Sequence, residues 1–123
     1  MKTSRQNLGK TGEDLAVQYL QQKGYRIIRR NYRIGRAEID IIALDQDDLV
    51  LIEVKSIRTN RFGPGEEHIT SRKKTMLIRA AYGLPDYFPA LNGKNLRFDV
   101  MVIDFTNFPA SVRHYQGAFW QQS

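Results

Sequence analysis

Asp40, Glu53 and Lys55 are the residues whose types and spacing point to chemistry in this sequence. They stand in two β-rich runs, Glu38-Ile39-Asp40-Ile41-Ile42-Ala43-Leu44 and Leu49-Val50-Leu51-Ile52-Glu53-Val54-Lys55, joined by the polar stretch Asp45-Gln46-Asp47-Asp48. A symmetric hairpin closure pairs Leu44 with Leu49 and therefore Asp40 with Glu53. Side chains so opposed have Cβ atoms roughly 5 Å apart, and two like charges at that distance destabilise a hairpin. A divalent cation supplies the missing compensation. Mg²⁺ or Mn²⁺ takes carboxylate, carbonyl and water oxygens, and the Val54 carbonyl is close in sequence. Such an ion polarises a phosphoryl oxygen and lowers the pKa of a bound water, the chemistry of phosphodiester hydrolysis. Lys55, two residues beyond Glu53 on the same face, is placed to orient the water or to stabilise charge growing on the phosphate. The structural alternative makes Lys55 a neutralising partner of Glu53, Asp40 or Glu38 at the sheet's end. The directly opposed Asp favours the site.

Positioning these groups requires a covered sheet. Strict alternation puts Glu38, Asp40, Ile42 and Leu44 on one face with Leu49, Leu51, Glu53 and Lys55. Ile39, Ile41, Ala43, Val50, Ile52 and Val54 take the other. Both faces are apolar, which predicts helices on each side. The first helix is expected over about 8–23 with Gly24 as its left-handed cap, burying Ala16, Val17 and Leu20. Glu13 heads that stripe and faces the sheet; the competing reading is a first-turn Glu favoured by the helix dipole. A strand over 25–33 and a turn at Ile34-Gly35-Arg36-Ala37 follow. After a Gly- and Arg-rich loop containing Phe62-Gly63-Pro64-Gly65, a second helix is expected from about Ile69. It buries Met76, Leu77, Ala80, Ala81 and Leu84 and ends at Pro85. Lys73 lies on that stripe and either reaches the site or snorkels. A strong strand over 96–105 and an edge strand over 112–120 complete an α/β domain with a mixed sheet, in the order α-β-β-β-α-β with one further strand at the edge. His68 and His114 are too far apart to suggest a metal pair and read as surface or loop residues, and Asp99, early in the late strand after Arg97, reads as a structural or site-supporting partner rather than a direct metal ligand.

The chain of 123 residues fits one domain, with its ends (1–7 and 121–123) expected to be flexible. With no cysteine, disulfides, thiolate metal sites and cysteine nucleophiles are excluded. No apolar run approaches the roughly 18 residues of a membrane span, and no apolar segment follows the basic start, so a cytoplasmic protein without membrane association is expected. Nineteen Lys and Arg against 13 Asp and Glu give a net charge of +6, which draws polyanions, nucleic acid first. The cations cluster: Arg26, Arg29, Arg30, Arg33 and Arg36 in one stretch, Arg58, Arg61, Arg72, Lys73 and Lys74 in another. Arg33, Arg36, Arg58, Arg61, Arg72 and Lys73 are the candidate nucleic-acid contacts.

Glu38-Ile39-Asp40 followed by Glu53-Val54-Lys55 resembles the PD-(D/E)XK nuclease signature. The ordered set of Gly12-Glu13-Asp14-Leu15-Ala16, Gly24-Tyr25, Asn31-Tyr32-Arg33, those two motifs, Phe62-Gly63, Lys73 and Arg97-Phe98-Asp99-Val100 is similar to the small bacterial YraN-like proteins, from about residue 7 to 103. The resemblance implies a restriction-endonuclease-like fold related to Holliday-junction resolvases. It also implies Asp40, Glu53 and Glu13 as the acidic metal-holding set and Lys55 as the catalytic lysine. Ala37 stands where the family often has Gly, and Ile57 where it often has Arg.

The resulting expectation is an Mg²⁺- or Mn²⁺-dependent endonuclease-like protein acting on DNA in branched or structured form, with a homodimer suggested by analogy with branched-DNA enzymes. The alternative is a non-catalytic nucleic-acid-binding module on the same fold. A third reading, a scaffold whose basic face docks an acidic partner, predicts weaker salt dependence of DNA binding than the other two.

Overall fold

The computed structural model describes residues 4–58 and 71–119. Helix α1 (Ser4–Gln22) begins earlier than expected and buries Ala16, Val17 and Leu20. It ends as a Schellman motif: Gly24, at φ +93°, gives its N–H to the Gln21 carbonyl, and Tyr25 N–H reaches back to the Leu20 carbonyl, both at 3.0 Å. Strand β1 (Arg26–Ile34) turns through Gly35-Arg36 into β2 (Ala37–Asp45), and Gly35 takes the positive φ of that two-residue turn. Strand β3 (Asp48–Ile57) follows through Gln46-Asp47 and pairs with β2 in the expected register, Leu44 opposite Leu49.

The crossover from β3 carries α2 (Ser71–Tyr87) and a short 3₁₀ turn (Pro89–Leu91), then delivers β4 (Asn95–Asp104) parallel to β3. Strand β5 (Ser111–Phe119) returns antiparallel at the edge. The sheet order is β1-β2-β3-β4-β5, mixed, with one helix on each face. Leu49, Leu51, Phe98, Val100 and Val102 pack under α2 with Leu77, Ala80, Ala81 and Leu84. Val50, Ile52, Met101 and Ile103 pack under α1. This α-β-β-β-α-β-β arrangement is that of the restriction-endonuclease-like fold. Among the described residues no helix is long and apolar enough to cross a membrane.

Three expectations need correction. Pro85 does not end α2, which runs on to Tyr87; the proline forfeits its own hydrogen bond, but Phe88 N–H still donates to the Leu84 carbonyl at 2.8 Å. Ile39 does not share the Ile41 face: it packs with Ala37 and Ile42 in the α2-side core, while Ile41 packs under α1. The alternation of β2 is therefore interrupted beside Asp40. The neighbouring strand is distorted at the same level, since Asn31, flanked by the pairs Arg30–Ile41 and Tyr32–Ile39, has φ +50°. The third is His114, which lies neither on the surface nor in a loop. It is in β5 with its side chain 2% exposed, its Nε2 2.7 Å from Asp99 Oδ2. Asp99 is a structural partner whose carboxylate also takes two bonds from Arg97, and Tyr25 and the turn carboxylates Asp45 and Asp48 bond Arg97 as well. Burial alone would raise the Asp99 carboxyl, but the hydrogen bonds from His114, Arg97 and the Gly117 N–H outweigh it and hold the group below the usual carboxylate range.

Candidate metal centre

The paired part of β2 and β3 ends at Ile41 and Ile52. One step further, the same register puts Asp40 opposite Glu53, but no backbone pairing is made there. Instead Val54 N–H donates to the Asp40 carboxylate, with Oδ2 accepting at 2.8 Å. A side chain thus replaces the ladder where β2 loses its alternation, and Asp40 is held against β3 beside Glu53.

Helix α1 reaches this point because residue 12 is glycine. A Cβ on Gly12 would lie 1.9 Å from Ser56 Oγ and 3.2 Å from Ser56 Cβ, so a side chain there would drive the Ser56 hydroxyl aside and press on its Cβ. The next residue, Glu13, faces the sheet as its stripe predicted. Its Oε1 accepts from Arg30 Nε at 3.1 Å and from Asn31 Nδ2 at 3.0 Å, and Arg30 Nη2 also reaches Asp14 Oδ1 at 2.6 Å. Glu13 is thereby tied to β1 next to Asp40, and its charge helps to keep the Asp40 proton on.

Glu53 is 4% exposed. Its Oε1 pairs with Lys73 from α2 and lies 3.6 Å from Lys55 Nζ. Lys73 therefore reaches the site rather than snorkelling. Glu53 Oε2 is buried and has no hydrogen-bond partner among the described residues. An unpartnered carboxylate oxygen in a low-dielectric setting is costly. The Asp40 carboxyl is pushed up to about 7, first by burial and then by the Glu53 charge, against the opposing effects of the Val54 N–H and Lys73. Two lysines thus leave part of the acidic charge uncompensated.

These donors fit a hard divalent ion. Mg²⁺ is typically held by one or two carboxylates with waters filling the octahedron, and Asp40 with the free Glu53 oxygen is such a set. Among the described residues no three acidic or histidine groups converge tightly enough to form a cage of side chains alone. Glu13 Oε1 is already engaged by Arg30 and Asn31, so Oε2 is the oxygen that Glu13 could turn toward an ion there.

The predicted basic contacts divide. Arg36, Arg72 and Lys73 line one hollow between the β1–β2 turn and α2. Arg33 instead pairs with Glu38 at 3.1 Å, Arg58 is exposed just past β3, and Arg61 lies outside the described residues, as do Phe62 to Gly65, His68 and Ile69. Arg79 joins Arg36 and Arg72 and was missed; its signal was a position seven residues after Arg72, on the same helical face.

Comparison with known proteins agrees with this architecture. The model of the uncharacterised protein family UPF0102 matches residues 12–103, from Gly12 within α1 to Ile103 in β4. A UPF0102 protein of Syntrophomonas wolfei is 38% identical over 116 residues, covering 91% of this chain and 96% of its own. One from Chlorobium phaeobacteroides is 46% identical over 104 residues, 82% of each chain, and one from Prosthecochloris aestuarii is 40% identical over 124 residues, 94% and 95%.

Proposed function

From the premise that the chain belongs to the uncharacterised protein family UPF0102, the YraN-like family of the restriction-endonuclease-like superfamily, we propose that it is a divalent-metal-dependent nuclease acting on DNA, with branched or structured forms as substrate. The observation that carries this reading is the buried, unpartnered Glu53 Oε2 beside a carboxyl, Asp40, held near neutrality. Asp40 and Glu53, with the Val54 carbonyl and water, would hold Mg²⁺ or Mn²⁺. When bound, such an ion supplies Lewis acidity and a hydroxide at neutral pH.

The chain's own groups do the rest. Lys55 is about one-third exposed while its ammonium stays 3.6 Å from Glu53, so it faces both the carboxylate and an entering phosphate. From there it orients the attacking water and stabilises charge on the phosphate oxygens. Lys73 offsets the charge of Glu53 and limits the repulsion with Asp40. Glu13 adds negative potential while Arg30 and Asn31 hold it in place. Arg36, Arg72, Arg33, Arg58 and Arg61 contribute phosphate contacts that are independent of sequence.

The test is cleavage of linear, single-stranded, flapped and four-way-junction DNA with Mn²⁺, Mg²⁺ or EDTA, comparing wild type with Asp40→Asn and Lys55→Ala. Metal-dependent cutting lost in both variants is the expected result. The second reading is a non-catalytic nucleic-acid-binding module. It is favoured by the two lysines at Glu53 Oε1, which balance one buried charge without any ion. Binding without cutting under every condition, unchanged by either substitution, would establish it and remove the nuclease.

A further inference from the structure

Two adjoining hollows run along α2 beside the acidic centre. The larger, about 550 Å³, is lined by Ile34, Arg36, Ala37, Arg72, Thr75, Met76, Arg79 and Ala80. The smaller, about 310 Å³, shares Arg36, Ala37, Arg72 and Met76 with it and extends to Glu38 and Lys73. They share four of these lining residues, and Lys73 of the smaller one pairs with Glu53, so together they outline a channel beside the proposed centre. Among the described residues the one acidic group on its wall, Glu38, is engaged by Arg33.

The wall chemistry is specific. Arg72, Thr75, Met76, Arg79 and Ala80 fall at i, i+3, i+4, i+7 and i+8, a single face of α2. Arg72 and Arg79 are therefore two turns apart, about 10 Å along the axis. Arg36 faces them from the β1–β2 turn, and Ile34, Ala37, Met76 and Ala80 form an apolar floor. The first turn of α2 carries no acidic residue; Arg72, Lys73 and Lys74 stand there in succession.

We propose that this channel binds an unpaired nucleic-acid strand and delivers it to the acidic centre. The proposal rests on the nuclease reading and deepens it by naming the form of substrate. Guanidinium walls take phosphates, and an apolar floor takes sugars and base faces without reading sequence. Size excludes the alternative occupant. A cavity of this volume accommodates about one or two nucleotides, the scale of a small-ligand site, whereas a duplex presents a major groove that is alone about 12 Å wide. A flap, overhang or unpaired junction strand fits; an intact duplex stays on the rim.

The experiment is fluorescence anisotropy in EDTA, so that binding is read apart from cleavage. The probes are a labelled five-nucleotide oligo-dT, a 20-base-pair blunt duplex and the same duplex with a five-nucleotide overhang. The double variant Arg72→Ala/Arg79→Ala is expected to lose tenfold or more affinity for the single strand and the overhang, and under threefold for the blunt duplex. Its slope of log affinity against log salt for the single strand should fall by about 1.4, the value for two lost phosphate contacts. Met76→Glu, which charges the floor but leaves every cation in place, should reproduce the selective loss, and far-ultraviolet circular dichroism melts confirm that each variant is folded. Equal losses on all three probes, or none, would overturn the proposal and leave a general charged patch. Selective binding by a protein that never cuts would sink the nuclease reading alone; cutting that coexists with equal losses would sink the channel alone.

Discussion

Replacing Asp40 with Asn should make the metal-free protein more stable, and more so at alkaline pH. The wild-type carboxyl is raised from 3.8 to about 7, by burial first and Glu53 second. Between those values the folded state holds a proton that the unfolded state has released, so stability falls as pH rises through the window. The full contribution is present below about pH 4 and is lost once pH passes about 7. Each unit of difference is worth about 1.4 kcal/mol, so the ionised carboxylate costs about 4 kcal/mol at pH 8 and roughly 2 kcal/mol at pH 5. Asn cannot ionise, and its carbonyl oxygen can still accept the Val54 N–H that Asp40 accepts at 2.8 Å. The expected gain is about 10–15 °C in Tm at pH 8 and about half that at pH 5, by the scaling for a chain of this size. The assay is thermal and urea unfolding of both proteins in EDTA at the two pH values. Saturating Mn²⁺ or Mg²⁺ should then stabilise the wild type at pH 8 by about 2.7 kcal/mol at a hundredfold excess over Kd, and leave Asp40→Asn unmoved. A variant no more stable than wild type at pH 8, or a gain independent of pH, would refute the account of Asp40 as a carboxylate held against its own repulsion.

Gly12→Ala drives a methyl into Ser56 and should cost about 1–3 kcal/mol in urea unfolding; adding Ser56→Ala removes the hydroxyl and should recover part of the loss, so simple additivity of the two would contradict the close approach. Lys73→Met leaves buried Glu53 with Lys55 alone and should destabilise the metal-free protein by about 2 kcal/mol. Mn²⁺ should restore more stability to that variant than to wild type, and an equal response in calorimetric titration would count against competition between the lysine and an ion. Asp99→Ala takes the acceptor from His114 and the Gly117 N–H and two of the bonds from Arg97 and should cost about 3–5 kcal/mol by chemical denaturation, with any metal-dependent cleavage unchanged where the variant remains folded. A loss of cleavage in folded protein would mean that this cluster supports the site and not only the fold.

Local pattern determined a good deal of this molecule. The alternation of Glu38 to Leu44 and Leu49 to Lys55 around a polar connection set the β2–β3 register, because strand periodicity and hairpin closure are short-range constraints. Apolar residues on both faces of those strands required a helix on each side, and Gly24 marked the end of α1 because only a residue tolerant of positive φ completes that cap. The acidic pair and the reach of Glu13 followed from the same periodicities. Tertiary structure decided what depends on elements distant in sequence. Asn31 with its left-handed backbone and the interrupted alternation at Ile39 are set by how β1, β2 and α1 meet around Asp40 and Glu13. The pairing of Lys73 with Glu53 and the alignment of Arg79 with Arg36 depend on where the parallel crossover lays α2. His114 became a buried partner of Asp99 only because β5 returns beside β4. A sequence encodes which face a side chain takes through its spacing from near neighbours; which charge it meets there is fixed by long-range packing, and it is packing that joined two lysines and two carboxylates into one centre.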